Sequence, residues 1–329
     1  MISLVVPVCN EEESLAPLYG ELAAAFTGLA RGPVEFIFVD DGSRDRSWSV
    51  LVALSESDPR VSAIRFRRNF GKAAALTAGF QAARGELVFT MDGDLQDDPA
   101  EIPRFLDHIA SGYDVVSGWK KTRHDPWHKV FPSRVFNWLV SALTGCRLHD
   151  HNCGFKLYRR DVLREVGIYG ELHRFIPVLA HARGFRVGEL EVRHRRRLHG
   201  ASKYGVARII KGFLDLMTVR FLTRFRERPL HMLGTVGLTF FVLGGLGMLA
   251  LAISWLDPAN RPIGNRPLLF YSIALLLVGL QLVSVGILAE LVTSYNIRTE
   301  DVYSIAERIP AGDSCVPPQE TDPHSRPPA

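Results

Sequence analysis

The sequence predicts an α/β nucleotide-binding domain with a mainly parallel sheet, followed by an amphipathic helix and a membrane-spanning hairpin. Three observations predict it. Short apolar or β-branched runs alternate with helix-patterned segments from residue 2 onward, the signature of β–α–β crossovers. Several of these runs end in acid, above all Leu87-Val-Phe-Thr-Met, which leads straight into Asp92-Gly93-Asp94. Finally, Leu230 to Trp255 and Leu268 to Ser294 are each long enough to cross ~30 Å of hydrocarbon. Apart from His231 and Glu290 they carry no ionisable residue, whereas a soluble helix normally keeps a polar stripe.

Taken in order, Ile2 to Val8 reads as the first strand, ending at Cys9, Asn10 and three glutamates, and Ser14 to Leu29 as a helix. Val34 to Val39 is the second strand, closed by Asp40-Asp41-Gly42-Ser43, with a helix over Ser47 to Ser55. Val61 to Phe66 is the third strand, and Arg67-Arg68-Asn69-Phe70-Gly71 opens an alanine-rich helix over Lys72 to Ala83. The strand from Leu87 follows, then a helix over Ile102 to Ala110 and a strand over Asp114 to Ser117. Parallel sheets gather ligands at the carboxyl ends of their strands, where Asn10, Glu11, Asp40, Asp41, Asp92 and Asp94 stand.

After Trp119 the pattern is irregular and basic. It predicts helices over Val135 to Leu143 and Glu171 to Ala182, a loop over Gly145 to Gly154 and a strand over Arg186 to Val192. From Val206 to Phe225, apolar side chains alternate with Arg and Lys, as in a helix lying among lipid headgroups; a helix packed on its own domain is the alternative. The domain boundaries expected are 1–205 for the α/β domain, 206–229 for the amphipathic helix, 230–295 for the hairpin (spans at about 230–255 and 268–294) and 296–329 for a polar tail, disordered from about 310.

With 39 basic against 35 acidic residues in 329, the net charge of +4 is too mild to suggest nucleic acid as a partner. Four cysteines form no disulfide framework in a chain of this length, so a reducing compartment is expected, and the N-terminus lacks the basic region of a signal peptide. Basic residues precede the first span and Arg298 and Arg308 follow the second, which places both ends in the cytoplasm of a two-span membrane protein. Small residues along the first span (Gly234, Gly237, Gly244, Gly245, Gly247) allow close helix contact and with it a homo-oligomer.

Asp92 and Asp94 are two apart on a strand end, so their carboxylates can converge on one cation, with Gly93 leaving the backbone open between them. Hard oxygen ligands suit Mg²⁺ or Mn²⁺, which keep positions for water and substrate phosphates, so the pair suggests a nucleoside diphosphate held through metal. Asp97, Asp98 and Pro99 read instead as a helix start. Other patterns fail on context. Gly245-x-Gly247-x-x-Ala250 lies in a span, Gly71-Lys72 lacks the rest of a phosphate loop, and Cys146, His149, His151 and Cys153 are crowded for zinc.

Five stretches in order carry a resemblance: Val6-Pro7-Val8-Cys9-Asn10-Glu11-Glu12, Val39-Asp40-Asp41-Gly42-Ser43, Arg68-Asn69-Phe70-Gly71-Lys72, Met91-Asp92-Gly93-Asp94-Leu95-Gln96-Asp97 and Arg197-x-x-Gly200-x-Ser202-Lys203-Tyr204. The chain resembles family 2 glycosyltransferases of the dolichyl-phosphate mannose synthase and bactoprenol glucosyltransferase type, from residue 2 to about 228, with the hairpin matching the membrane-anchored bacterial subgroup. The resemblance implies a GT-A-like fold and inverting transfer of one sugar from a UDP- or GDP-sugar to a polyprenyl phosphate at the bilayer. It implies that Asp92, Asp94 and Gln96 surround the metal, and that Pro7, Asn10, Glu11, Asp40, Asp41, Lys72 and Asp92 border the nucleotide. Arg123, Arg134, Arg197, Ser202 and Lys203 would meet the acceptor phosphate.

Asp150 resembles the family's second acidic position and joins Asp94 as a catalytic candidate. A phosphomonoester is largely ionised at neutral pH, its second pKa lying near ~6. Asp150 is therefore expected to orient the acceptor or balance charge more than to remove a proton. A processive polysaccharide synthase would carry more spans and a Gln-x-x-Arg-Trp signature, and a non-catalytic membrane scaffold would have no use for the intact Asp-x-Asp.

Overall fold

The computed structural model describes residues 1–27, 32–121, 127–166, 172–195, 207–224, 229–257 and 263–296. Its first half follows the expected alternation: β1 (Ile2–Val8), α1 (Leu15–Thr27), β2 (Val34–Asp40), α2 (Ser47–Ser57), β3 (Val61–Arg65), α3 (Lys72–Ala82), β4 (Leu87–Thr90), α4 (Ile102–Ala110) and β5 (Val115–Trp119). The basic stretch forms a longer helix than the pattern suggested, α5 (Trp127–Thr144). Two elements were not expected, β6 (Lys156–Arg159) and α6 (Arg160–Glu165). A 3₁₀ turn (Leu172–Phe175), α7 (Ile176–Ala182), β7 (Val187–Glu191), α8 (Ala207–Arg224), α9 (Pro229–Trp255) and α10 (Pro267–Asn296) complete the described chain.

The seven strands form one sheet in the order β3-β2-β1-β4-β6-β5-β7. All neighbours are parallel except β6, which runs antiparallel to both β4 and β5. The sheet is mainly parallel, as expected, with β6 as an antiparallel insertion that was not. Four residues flanked by charge are too short to declare a strand by periodicity, and a strand inserted between β4 and β5 is a non-local pairing.

One face of the sheet is covered by α1 and α4 over an aromatic cluster of Phe26, Phe36, Phe89, Phe105 and Phe155. On the other, α3 packs so closely that a Cβ at Gly79 would meet Val5 Cγ1 at 2.2 Å. A second apolar cluster joins α5, α7 and α8 through Val140, Leu148, Phe175, Val178, Leu216 and Val219. Helix α8 is therefore seated on its own domain by one face, while Leu214 and Met217 stay exposed on another. On α5, Val135 and Trp138 are likewise exposed, Trp138 to 69%.

The hairpin helices are long and apolar enough to cross a membrane. They meet backbone to backbone: a Cβ at Gly237 would lie 2.7 Å from the Gly279 carbonyl oxygen, and one at Gly244 2.8 Å from that of Ser272. The small residues read as an oligomer seam thus serve, at these positions, the contact within the hairpin. Glu290, the acid of the second span, accepts the backbone N–H of Leu230 at 3.1 Å and so caps the first.

Candidate active site

The acidic strand ends come together along the carboxyl edge of the sheet, because β1, β2 and β4 are adjacent and parallel. Asp92 follows β4 and forms an ion pair with Lys72, the first residue of α3. Burial opposes ionisation of Asp92, but the charges of Lys72 and Lys120 hold its pKa down at about 2. Asp94 accepts the N–H of Gln96 at 3.2 Å, and both Asp92 and Asp94 keep partial solvent exposure. Pro7 of β1 lies in register with Val39 of β2, and the Glu11 Cγ sits 3.8 Å from where a Gly93 Cβ would be. Asn10, with φ of 59°, donates its N–H to Ser43 Oγ and accepts that of Arg44 through Oδ1, locking the loops after β1 and β2 together.

Asp40 and Asp41 are both buried and hold loops. Asp40 accepts the N–H of Ser43 at 2.9 Å and faces Arg65 Nε at 3.5 Å. Asp41 accepts the N–H groups of Phe70 at 2.7 Å and Gly71 at 3.0 Å, which fixes the entry to α3 and with it Lys72. A groove lined by Gly42, Ser43, Arg44 and residues 65–69 opens beside them.

The expectation that Asp97 starts a helix does not hold. Asp98 takes that role, accepting the N–H of Ala100, whereas Asp97 is buried and pairs with Lys120 Nζ at 2.7 Å. Burial alone would lower the Lys120 pKa, yet Asp97 raises it well above the usual lysine range. The segment after β7 crosses here: Arg195 donates its N–H to the Gln96 carbonyl at 2.8 Å and its guanidinium to Glu21 and Asp98. The pattern could not show this contact, because it joins residues about a hundred positions apart.

Asp150 is 1% exposed, in a loop whose Gly154 abuts Asp92. Its Oδ1 accepts the N–H of Asn152 at 3.1 Å. Beneath it lies Lys156, a buried lysine of β6 that donates to the His151 carbonyl at 3.2 Å and whose pKa burial pushes down to about 8. Lys120, Gly154, Lys156 and His173 were not singled out in the sequence; the only hint was a glycine and a lysine flanking Phe155 after an acidic loop. Burial, with the charges of Lys72 and Arg174, drives the His173 pKa down to about 2, so its ring is neutral.

Cys146 and Cys153 are buried in apolar clusters and the His149 ring meets Glu189, so the four residues weighed for zinc serve other contacts. Among the described residues no three His, Cys, Asp or Glu side chains form a group that could hold a metal by themselves. Two partly open carboxylates at a strand end fit a Mg²⁺ or Mn²⁺ site that substrate oxygens and water would complete. Arg134 is exposed on α5; Arg123, Arg197, Ser202, Lys203 and the tail lie outside the described residues.

The "Glycosyl transferase family 2" model matches residues 3–167. The dodecaprenyl-phosphate galacturonate synthase of Rhizobium johnstonii is 40% identical over 306 residues, 91% of this chain and 89% of that protein. The undecaprenyl-phosphate 4-deoxy-4-formamido-L-arabinose transferase of Pseudomonas paraeruginosa is 36% identical over 96% of this chain and 93% of its own. Among solved structures, glucosyl-3-phosphoglycerate synthase from Mycobacterium tuberculosis, in complex with Mn²⁺, UDP and phosphoglyceric acid, superposes with a TM-score of 0.52 at 18% identity, over 68% of this chain and 78% of that one. The chain belongs to glycosyltransferase family 2, and its α/β domain has the GT-A-like fold.

Proposed function

We propose that this protein transfers one sugar, with inversion, from a UDP- or GDP-sugar to a polyprenyl phosphate at the cytoplasmic face of a membrane. The observation that carries the reading is the extent of similarity: relatives named for transfer to polyprenyl phosphates match over about nine-tenths of both chains, hairpin included. The partly open Asp92 and Asp94 and the paired Lys72 supply the polar centre such a donor needs.

In this reading the loops after β1 and β2 border the nucleoside, with Pro7, Asn10, Glu11, Asp40 and Asp41, and Lys72 stands beside the diphosphate. Asp92, Asp94 and Gln96 would hold Mg²⁺ or Mn²⁺, which would supply Lewis-acid stabilisation of the nucleotide leaving group. The acceptor phosphate meets Arg123, Arg134, Arg197, Ser202 and Lys203 and attacks as an already ionised oxygen. Asp150, buried beside Lys156, balances charge in the wall of the site and leaves the acceptor proton alone. In this reading one side of α5 and α8 lies among lipid headgroups, which the exposed Trp138 and Leu214 support.

The test is a panel of UDP- and GDP-sugars offered to the full chain in vesicles containing undecaprenyl phosphate. The expected product is a lipid carrying a single sugar of inverted anomeric configuration from one donor class. A polymer product would point to a synthase, and no product from any donor would overturn the proposal.

A further inference from the structure

Four polar residues occupy one row across the buried sheet: Thr90 on β4, Lys156 on β6, Ser117 on β5 and Glu189 on β7. Residues paired directly across neighbouring strands project to the same face, so these side chains stand side by side beneath the loop that carries Asp150. Polar groups inside a sheet cost free energy unless they make bonds. Three of the four direct their bonds to that loop, while Ser117 Oγ is buried without a hydrogen-bond partner among the described residues. Thr90 Oγ1 donates to the Gly154 carbonyl at 2.8 Å and Lys156 Nζ to the His151 carbonyl. The Glu189 carboxylate accepts the backbone N–H of Asp150 at 2.9 Å, that of His149 at 2.9 Å, and meets His149 Nδ1 at 2.7 Å. From the opposite side, Asn137 Nδ2 of α5 donates to the His149 carbonyl at 2.8 Å, and Ser141 Oγ to that of Leu148 at 3.1 Å.

We infer that Glu189 is a positioning residue for sugar transfer, acting through the Asp150 loop and not by touching donor or acceptor. The inference rests on the proposed transfer reaction and on Asp150 serving it. Glu189 takes most of the load because, among the described side chains that hold this loop, it receives two successive peptide N–H groups. Its charge strengthens each bond, and no neutral side chain of the same size accepts all three donors. The far end of the loop, Gly154, is held separately by Thr90, so the Glu189 clamp acts on the Asp150 end.

The experiment compares wild type, Glu189→Gln, Asp150→Asn and the double variant in steady-state transfer, with donor and acceptor varied separately. The expected result is a drop in kcat of about tenfold to a hundredfold for Glu189→Gln, the scale of a small misplacement of catalytic groups. Its donor KM should stay near wild type, and the double variant should be no slower than Asp150→Asn alone. His149→Phe, which removes the ring and spares both backbone bonds, should lose far less. Wild-type kinetics in Glu189→Gln, equal rises in both KM values, or losses that multiply in the double variant would overturn the inference. Should Glu189→Gln fail to fold, Asn137→Ala decides in the same assay, since it removes the bonds to the His149 carbonyl and from Asn152 on the same loop and leaves the backbone of α5 in place. Transfer by the wild type establishes the reaction independently of these comparisons.

Discussion

Gly154 stands directly against Asp92: a Cβ built on it would lie 2.5 Å from Asp92 Oδ2 and 2.7 Å from Cγ. Its carbonyl is held by Thr90, so the backbone there has little room to retreat. Gly154→Ala is expected to push the Asp92 carboxylate off Lys72. Displacements on the ångström scale cost up to about 10²-fold in rate. Kinetics with varied donor, beside a circular dichroism melt, should show a large loss of kcat/KM and a nearly unchanged melting temperature.

Lys120 and Asp97 form the other consequential pair, with side chains 13% and 0% exposed. Lys120→Met would leave the buried Asp97 carboxyl without its cation, a change that costs about 3–5 kcal/mol in comparable settings. Denaturant unfolding should show that loss in Lys120→Met and recover much of it in the Lys120→Met, Asp97→Leu double variant.

Stability should fall on mild acidification. His151 is fully buried, and burial, with Lys156 nearby, lowers its pKa from 6.5 to about 4. The native state keeps it neutral while the unfolded chain takes up a proton. Its contribution is therefore complete above pH 6.5 and lost progressively as pH falls towards 4. One proton of difference gives a slope of up to about 1.4 kcal/mol per pH unit. The unfolding free energy of His151→Gln, measured from pH 7 to 5, should decline less steeply than that of wild type.

The glycines of the first span divide by environment. Gly237 faces Gly279 across the hairpin, whereas nothing lies within 4 Å of a Cβ placed on Gly245. Gly237→Leu should loosen the hairpin and Gly245→Ala should leave it intact, as read by accessibility of cysteines introduced along α10.

Most of the fold was legible because strand and helix periods differ and acid recurs at strand ends; Ile102–Ala110 matches the expected helix residue for residue. The acidic strand ends that the fold brings together were legible for the same reason, and Asp94 and Asp150 were readable as candidates, but not their surroundings. Lys120 reaching Asp97, Glu189 reaching Asp150 and Arg195 reaching Gln96 are decided by which strands lie side by side, and the insertion of β6 between β4 and β5 has no local signature. The amphipathic pattern of α8 was visible, yet a single helix cannot declare which apolar side chains face its domain and which stay exposed.

The most direct test of the account is transfer to undecaprenyl phosphate by the full chain in vesicles, assayed with Mg²⁺ or Mn²⁺ and with a chelator, for wild type and Asp94→Asn. The account predicts a lipid-linked sugar that disappears on chelation and returns on adding back the metal. Asp94→Asn should be folded and slower by about 10²–10³-fold, the scale for losing one group that stabilises developing charge. Transfer that survives complete chelation, or Asp94→Asn working at the wild-type rate, would contradict it.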